Sequence, residues 1–264
     1  MNQEQMTTKR WCVVTGATGG IGTAVVLRLV STGWYVLAIG RRPAALQGLQ
    51  KLCGSDASRV SSHLVDLRSV DCGESIRRAL AALGVSLEAG GGRREHAEAL
   101  LAGVVHCAAV SCGEDAARIQ DEDWCTSMEV NVGAAMRVNR ALVGALGLLP
   151  GAIVHVGSPV GIVGARKVSY ASSKAALHGL SVATAAYCGP MGVRVNTVLP
   201  GPTHTPMTAD WSAERQAEVA ASTMLGRMAE PSEVAGPIAF LLSDEASFIT
   251  GSVLSVTGGA YPGI

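Results

Sequence analysis

The run Trp11-Cys-Val-Val14, continuing into Thr15-Gly-Ala-Thr-Gly-Gly20-Ile-Gly22, constrains this chain more than any other segment. Four apolar residues followed by a glycine-dense turn, and then by a helix-compatible stretch from Ala24 to Val30, read as strand, turn and helix. Gly16, Gly20 and Gly22 lack the Cβ atoms that would keep an anion from the backbone amides, those of Thr18 and Ile21 among them. The turn therefore offers free N–H groups at the positive end of a helix, a cradle for a pyrophosphate. The bland alternative is a flexible turn, and the strand before it and the helix after it argue against that.

Alternating patterns continue along the chain. Strands are expected at 11–15, 34–39, 61–65, 103–107, 152–157, 193–198 and 252–256. Helices are expected at 20–31, 43–53, 73–83, 94–101, from Asn131 to Leu146, from Tyr170 to Tyr187, and as a pair around 212–241. This order implies an α/β fold, a doubly wound parallel sheet of Rossmann-like type forming one domain over residues 1–264. Ligands of such sheets bind at the carboxyl ends of the strands. Gly16, Asp66, Asn131, Ser158 and Pro200 follow strand ends in this reading. Glycines and charged residues around Glu88 to His96 read as an exposed insertion near 84–98.

Tyr170 and Lys174 stand four residues apart, twelve after Ser158. On a helix, positions i and i+4 share a face, so the ammonium can sit beneath the phenol and favour its ionised form. Bringing a tyrosine from about 10 to about 7 takes roughly 4 kcal/mol. A lysine and a positively charged nicotinamide together could supply it.

Thr-Gly-x3-Gly-x-Gly, then an asparagine, a serine and Tyr-x3-Lys, in this order from about Arg10 to Gly259, resembles the short-chain dehydrogenases/reductases in their single-domain branch, and the 3-oxoacyl-carrier-protein reductases in particular. The resemblance implies a catalytic set of Asn131, Ser158, Tyr170 and Lys174. Ser158 hydrogen-bonds the substrate oxygen and Tyr170 is the acid or base. Lys174 holds the nicotinamide ribose and lowers the tyrosine, and Asn131 holds a water of the proton relay. It further implies a cofactor site made by Gly16, Thr18, Gly20, Ile21 and Gly22, by Asp66 against the adenine with Leu67 beside it, and by Pro200, Gly201, Thr203 and Thr205 near the nicotinamide, with Tyr170 and Lys174. Where relatives carry Asn-Ala-Gly this chain has Cys107-Ala108-Ala109, and where they carry Asp-Gly-Gly it has Thr257-Gly-Gly259.

The second strand ends in Gly40-Arg41-Arg42, without the acidic residue that grips a ribose 2'-hydroxyl. Arginine pairs with phosphate through a planar fork, so the expected cofactor is NADP(H) rather than NAD(H), with Arg41 the main contact and Arg42 its assistant. The expected reaction is reduction of a small-molecule ketone or aldehyde to an alcohol. Alternatives are an alcohol dehydrogenase working with NAD in the oxidising direction, an epimerase or dehydratase, and a non-catalytic dinucleotide sensor. Residues 203–227, with Met207, Trp211, Met224 and Leu225, are expected to form a substrate lid, although the same apolar stripe also suits helix core or a subunit contact.

Twenty-one basic and 21 acidic residues cancel, so no excess field draws the chain to nucleic acid or to an anionic membrane. Charged residues make up only 16%, against about 25% in ordinary globular chains, which leads us to expect some apolar surface covered between subunits, and the resemblance implies a homotetramer or homodimer. The polar first ten residues and the absence of a long apolar run lead to the expectation of a cytoplasmic protein without membrane spans. Seven cysteines without a Cys-x2-Cys pair read as free thiols, and neither they nor the six histidines have zinc-ligand spacing. His155 is expected to be a strand residue with a satisfied hydrogen bond.

Overall fold

The computed structural model describes residues 8–88 and 97–263. Seven strands form one sheet, β1 (Lys9–Thr15), β2 (Tyr35–Gly40), β3 (Val60–Leu64), β4 (Ala99–His106), β5 (Ala152–Val156), β6 (Arg194–Pro200) and β7 (Val253–Val256). Every pairing is parallel, in the order β3-β2-β1-β4-β5-β6-β7. Chain direction across the sheet reverses between β1 and β4. The crevice above that point, at the carboxyl ends, is where a sheet of this kind takes a ligand.

Period-two alternation sends the strand residues into two separate cores. Cys12, Val14, Val36, Ala38, Val105 and Val154 face α1 (Gly20–Ser31), α2 (Pro43–Leu52) and α9 (Pro231–Leu242). Trp11, Val13, Leu37, Ile39, Val104, Ile153 and Val195 face α3 (Cys72–Ala82), α5 (Ala134–Leu146) and α7 (Val168–Cys188). β4 is buried along its whole length, as expected of a central parallel strand covered on both faces. The remaining helices are α4 (Asp121–Met128), α6 (Val160–Val163) and α8 (Ala213–Ala221).

Two sequence expectations fail here. Of the helix expected at 94–101, residues 94–96 lie outside the described residues, and Ala99, Leu100 and Leu101 instead begin β4, paired with Lys9, Arg10 and Trp11. Central-strand burial makes a continuous apolar run, which periodicity alone does not separate from helix. Asn131 does not follow a strand end either. It lies in a π-helical turn, Glu129–Gly133, inserted between α4 and α5. Most of the insertion expected near 84–98 lies outside the described residues; of its flanks, Ser86 bridges to Leu100.

Candidate active site

The turn after β1 has the geometry that its glycines require. Gly16 adopts φ +64°, and a Cβ there would meet the Ala108 backbone at 2.6 Å. The Cys107-Ala108 segment thus passes directly against the turn, tied by Cys107 N–H to Thr15 O at 3.1 Å. A Cβ on Gly22 would lie 2.1 Å from Gly16 O, so α1 can approach the turn this closely only with glycine at that position. α1 starts at Gly20 with no side-chain cap and no acidic residue in its first turn. Its leading amides are left to a ligand, and an anionic pyrophosphate fits them. Thr18, Gly20 and Ile21 are partly exposed at this turn, and Gly20 abuts Thr205, whose Cγ2 would be 2.7 Å from an added Cβ.

The loop after β6 is braced to stay over that turn. Gly201 N–H donates to Val256 O, Thr203 is buried with its hydroxyl on Gly201 O at 2.9 Å, and the Thr208 hydroxyl donates to Thr203 O at 2.9 Å. A Cβ on Gly201 would sit 2.7 Å from the Thr257 Cα, so the Thr257-Gly258-Gly259 segment packs where relatives carry Asp-Gly-Gly. Pro200 ends β6 at the same edge of the sheet.

Ser158, Tyr170 and Lys174 converge beside this crevice. Ser158 follows β5, and its hydroxyl also accepts the Val160 N–H at 3.4 Å. Burial raises the Tyr170 phenol above its ordinary range, against a hydrogen bond from Ser158 that lowers it. Lys174 is 3% exposed, donates from Nζ to Val156 O at 2.8 Å, and holds that Nζ 5.7 Å from the Tyr170 ring centre. Burial brings its ammonium down to about 8. The Lys174 ammonium is engaged by the Val156 carbonyl, and burial of the phenol works against the lowering that the resemblance implies.

Asn131 is buried and both hydrogens of its amide are used by the protein. Nδ2 donates to Val110 O at 3.0 Å and to Ser173 Oγ at 2.8 Å, and Oδ1 accepts Val110 N–H at 2.8 Å. The side chain thus clamps the segment after β4 to α7, one residue before Lys174. A relay water would have only the second lone pair of Oδ1 or the main chain to meet.

Sequence reasoning missed a polar row under the site. His106 and His155 are register partners on β4 and β5, with rings stacked at 4.9 Å and 10°. Asn139 of α5 bridges them, its Oδ1 2.8 Å from His106 Nε2 and its Nδ2 3.2 Å from His155 Nε2. Burial holds His106 at about 4 and His155 well below its usual value. His155 is a strand residue with a hydrogen bond at Nε2, as expected, while its Nδ1 is buried without a partner among the described residues. The signal was present as a histidine at the same register in each of two buried strands, but alignment of strands is not visible before the fold is known.

At the other end of the crevice, Arg41 and Arg42 are exposed after β2, Asp66 is exposed and Leu67 is buried after β3. All the sequence-predicted site residues thus lie along the carboxyl edge of the sheet or on α7 and the π turn behind it. Among the described residues no group of three or more His, Cys, Asp or Glu side chains could hold a metal, and no helix is long and apolar enough to cross a membrane.

A doubly wound parallel sheet with an uncapped glycine turn and a Ser-Tyr-Lys cluster at its carboxyl edge defines a class, and comparison with known proteins gives the family. The profile of a family described as enoyl-(acyl carrier protein) reductase matches residues 16–261. The chain is 34% identical over 260 residues to a mouse (3R)-3-hydroxyacyl-CoA dehydrogenase, covering 94% of this chain and 95% of that one. It is 31% identical over 251 residues to the 3-oxoacyl-acyl-carrier-protein reductase FabG of Salmonella typhimurium, covering 94% and 96%. The human (3R)-3-hydroxyacyl-CoA dehydrogenase is 32% identical over 252 residues, with 94% of each chain covered. The chain belongs to the short-chain dehydrogenase/reductase family of oxidoreductases.

Proposed function

We propose that this protein is an NADP(H)-dependent oxidoreductase that reduces a ketone carbonyl to an alcohol, with 3-oxoacyl thioesters the first substrate class to test. The observation that carries the reading is the convergence of Ser158, Tyr170 and Lys174 next to an uncapped glycine turn. The nicotinamide cofactor, when bound, supplies the hydride. The glycine turn with Thr18 and Ile21 holds the pyrophosphate, the Pro200–Thr205 loop holds the nicotinamide amide, and Asp66 and Leu67 border the adenine. Arg41, assisted by Arg42, receives the 2'-phosphate.

Ser158 donates a hydrogen bond to the carbonyl oxygen as negative charge develops there, a contact whose loss costs about 10²-fold to 10³-fold in rate. Tyr170 delivers its proton to that oxygen. A phenol kept neutral by burial is the form that can donate, as reduction requires. Lys174 would clamp the ribose hydroxyls of the cofactor, and its ammonium, 5.7 Å from the ring centre, would stabilise the phenolate that proton transfer leaves on Tyr170. Asn131 holds α7 in register and offers its main chain to the water that reprotonates the site.

The relatives named for 3-hydroxyacyl-CoA and 3-oxoacyl-carrier-protein substrates support the thioester class. Residues 203–227 act as the lid, with Met207, Met224 and Leu225 exposed toward an incoming chain. Wholly exposed Phe248, together with Tyr187 at 70% exposure, supports a homotetramer or homodimer that covers them. The proposed compartment is the cytoplasm. The test is turnover of a 3-oxoacyl-CoA with NADPH, paired with calorimetric titration of NADPH and NADH. Reduction together with at least about tenfold tighter NADPH binding, about 1.4 kcal/mol, is expected. NADH preference, or no reduction of any ketone thioester, would overturn the reading.

A further inference from the structure

The turn after β3 carries a guanidinium that the cofactor site just described does not use. Arg68 folds back on Asp66, its N–H donating to Oδ1 at 2.9 Å, its Nε to the two carboxylate oxygens at 3.2 and 3.1 Å, and its Nη2 to Oδ2 at 2.8 Å. These hydrogen bonds hold the carboxyl down at about 2. The side chains of Arg68 and Asp66 are 55% and 43% exposed, so the pair adds little to stability. What it does is arrange charge at the ligand-binding edge of the sheet.

Val65 N–H donates to Gly40 O at 3.1 Å, which ties the end of β3 to the end of β2. Arg41 follows Gly40 and Asp66 follows Val65, so the two side chains leave the sheet next to each other, and Asp66 senses the Arg41 charge. Without Arg68, a bare carboxylate would stand beside the arginine that receives a 2'-phosphate. It would neutralise that arginine and repel the phosphate. With Arg68 in place the carboxylate is neutralised in a chelated pair, and the positive charge of Arg41 is left for the ligand.

We propose that Arg68 is a specificity-determining residue for NADP(H): by occupying the Asp66 carboxylate it removes the negative charge that would otherwise exclude a 2'-phosphate from Arg41. It acts through Asp66, as a positioning residue. The proposal rests on the NADP(H) reading above.

Calorimetric titration of NADPH and NADH into the wild type, Arg68→Ala and the double variant Arg68→Ala/Asp66→Asn separates the two. The wild-type ratio of affinities reports on the NADP(H) reading alone. If Arg68 masks Asp66, Arg68→Ala should bind NADPH about tenfold more weakly and NADH within about twofold of wild type. Adding Asp66→Asn should then restore most of the NADPH affinity, because the carboxylate to be masked is gone. Melting temperatures close to wild type would show that the variants are folded. Equal losses for the two nucleotides would overturn the proposal. So would a double variant as weak toward NADPH as Arg68→Ala, which would make Arg68 a direct phosphate ligand.

Discussion

Removing the Asn131 side chain should unfasten α7 as well as slow the reaction, and the size of the effect follows from its contacts. The residue is 2% exposed and satisfies Val110 N–H, Val110 O and Ser173 Oγ. In Asn131→Ala those three groups lose a partner. Ser173 keeps its own hydrogen bond to Tyr170 O at 2.8 Å, so the cost falls chiefly on the two Val110 groups. At about 1–3 kcal/mol for each unsatisfied buried group, the loss is roughly 3 kcal/mol. For a chain of this size that is about 6–12 °C in melting temperature. Asn131→Asp should be at least as damaging, since it sets a carboxylate oxygen against Val110 O and removes both amide donors. The assay is thermal unfolding without nucleotide, run beside turnover. If Asn131 served only a water relay, turnover would fall and the melting temperature would stay within about 2 °C of wild type, an outcome that would refute the clamp.

Gly22→Ala places a Cβ 2.1 Å from Gly16 O, so the turn must open; nucleotide binding measured by fluorescence should be lost while far-ultraviolet circular dichroism stays close to wild type. Lys174→Met should abolish turnover yet melt no lower than wild type at neutral pH, because burying the ammonium costs the fold. Raising the pH from about 8 toward 10.5 should then favour the wild type relative to that variant, since the unfolded lysine stays protonated after the folded one has lost its proton. His106 and His155 bind protons more weakly folded than unfolded, so they contribute full stability above pH 6.5 and lose it as pH falls toward about 4. Unfolding free energies from denaturant titration should decline over that window by as much as about 2.7 kcal/mol per pH unit for the two together, with a shallower decline in His106→Asn. A flat profile for the wild type would count against this assignment.

Much of the site was readable because its chemistry is local in sequence. The glycine turn announces itself between a strand and a helix, and Tyr170 and Lys174 meet because a helix returns to the same face every four residues. What stayed hidden depends on contacts across strands or on competition between effects. The clamp from Asn131 to Val110 joins residues 21 apart, and Asn139 meets His106 across 33. Spacing reveals the lysine beside Tyr170 but not the burial that raises the phenol. The start of β4 at Ala99 reads as helix in the sequence because a strand buried on both faces has no alternation to betray it.

The central claim, that Tyr170 is the proton donor of a carbonyl reduction, is tested most directly by Tyr170→Phe in a turnover assay with NADPH and a 3-oxoacyl-CoA, with NADPH affinity measured on the same preparation. The account predicts at least about a 10²-fold loss of turnover with NADPH bound nearly as tightly as by the wild type. Turnover close to wild type in that variant would contradict it.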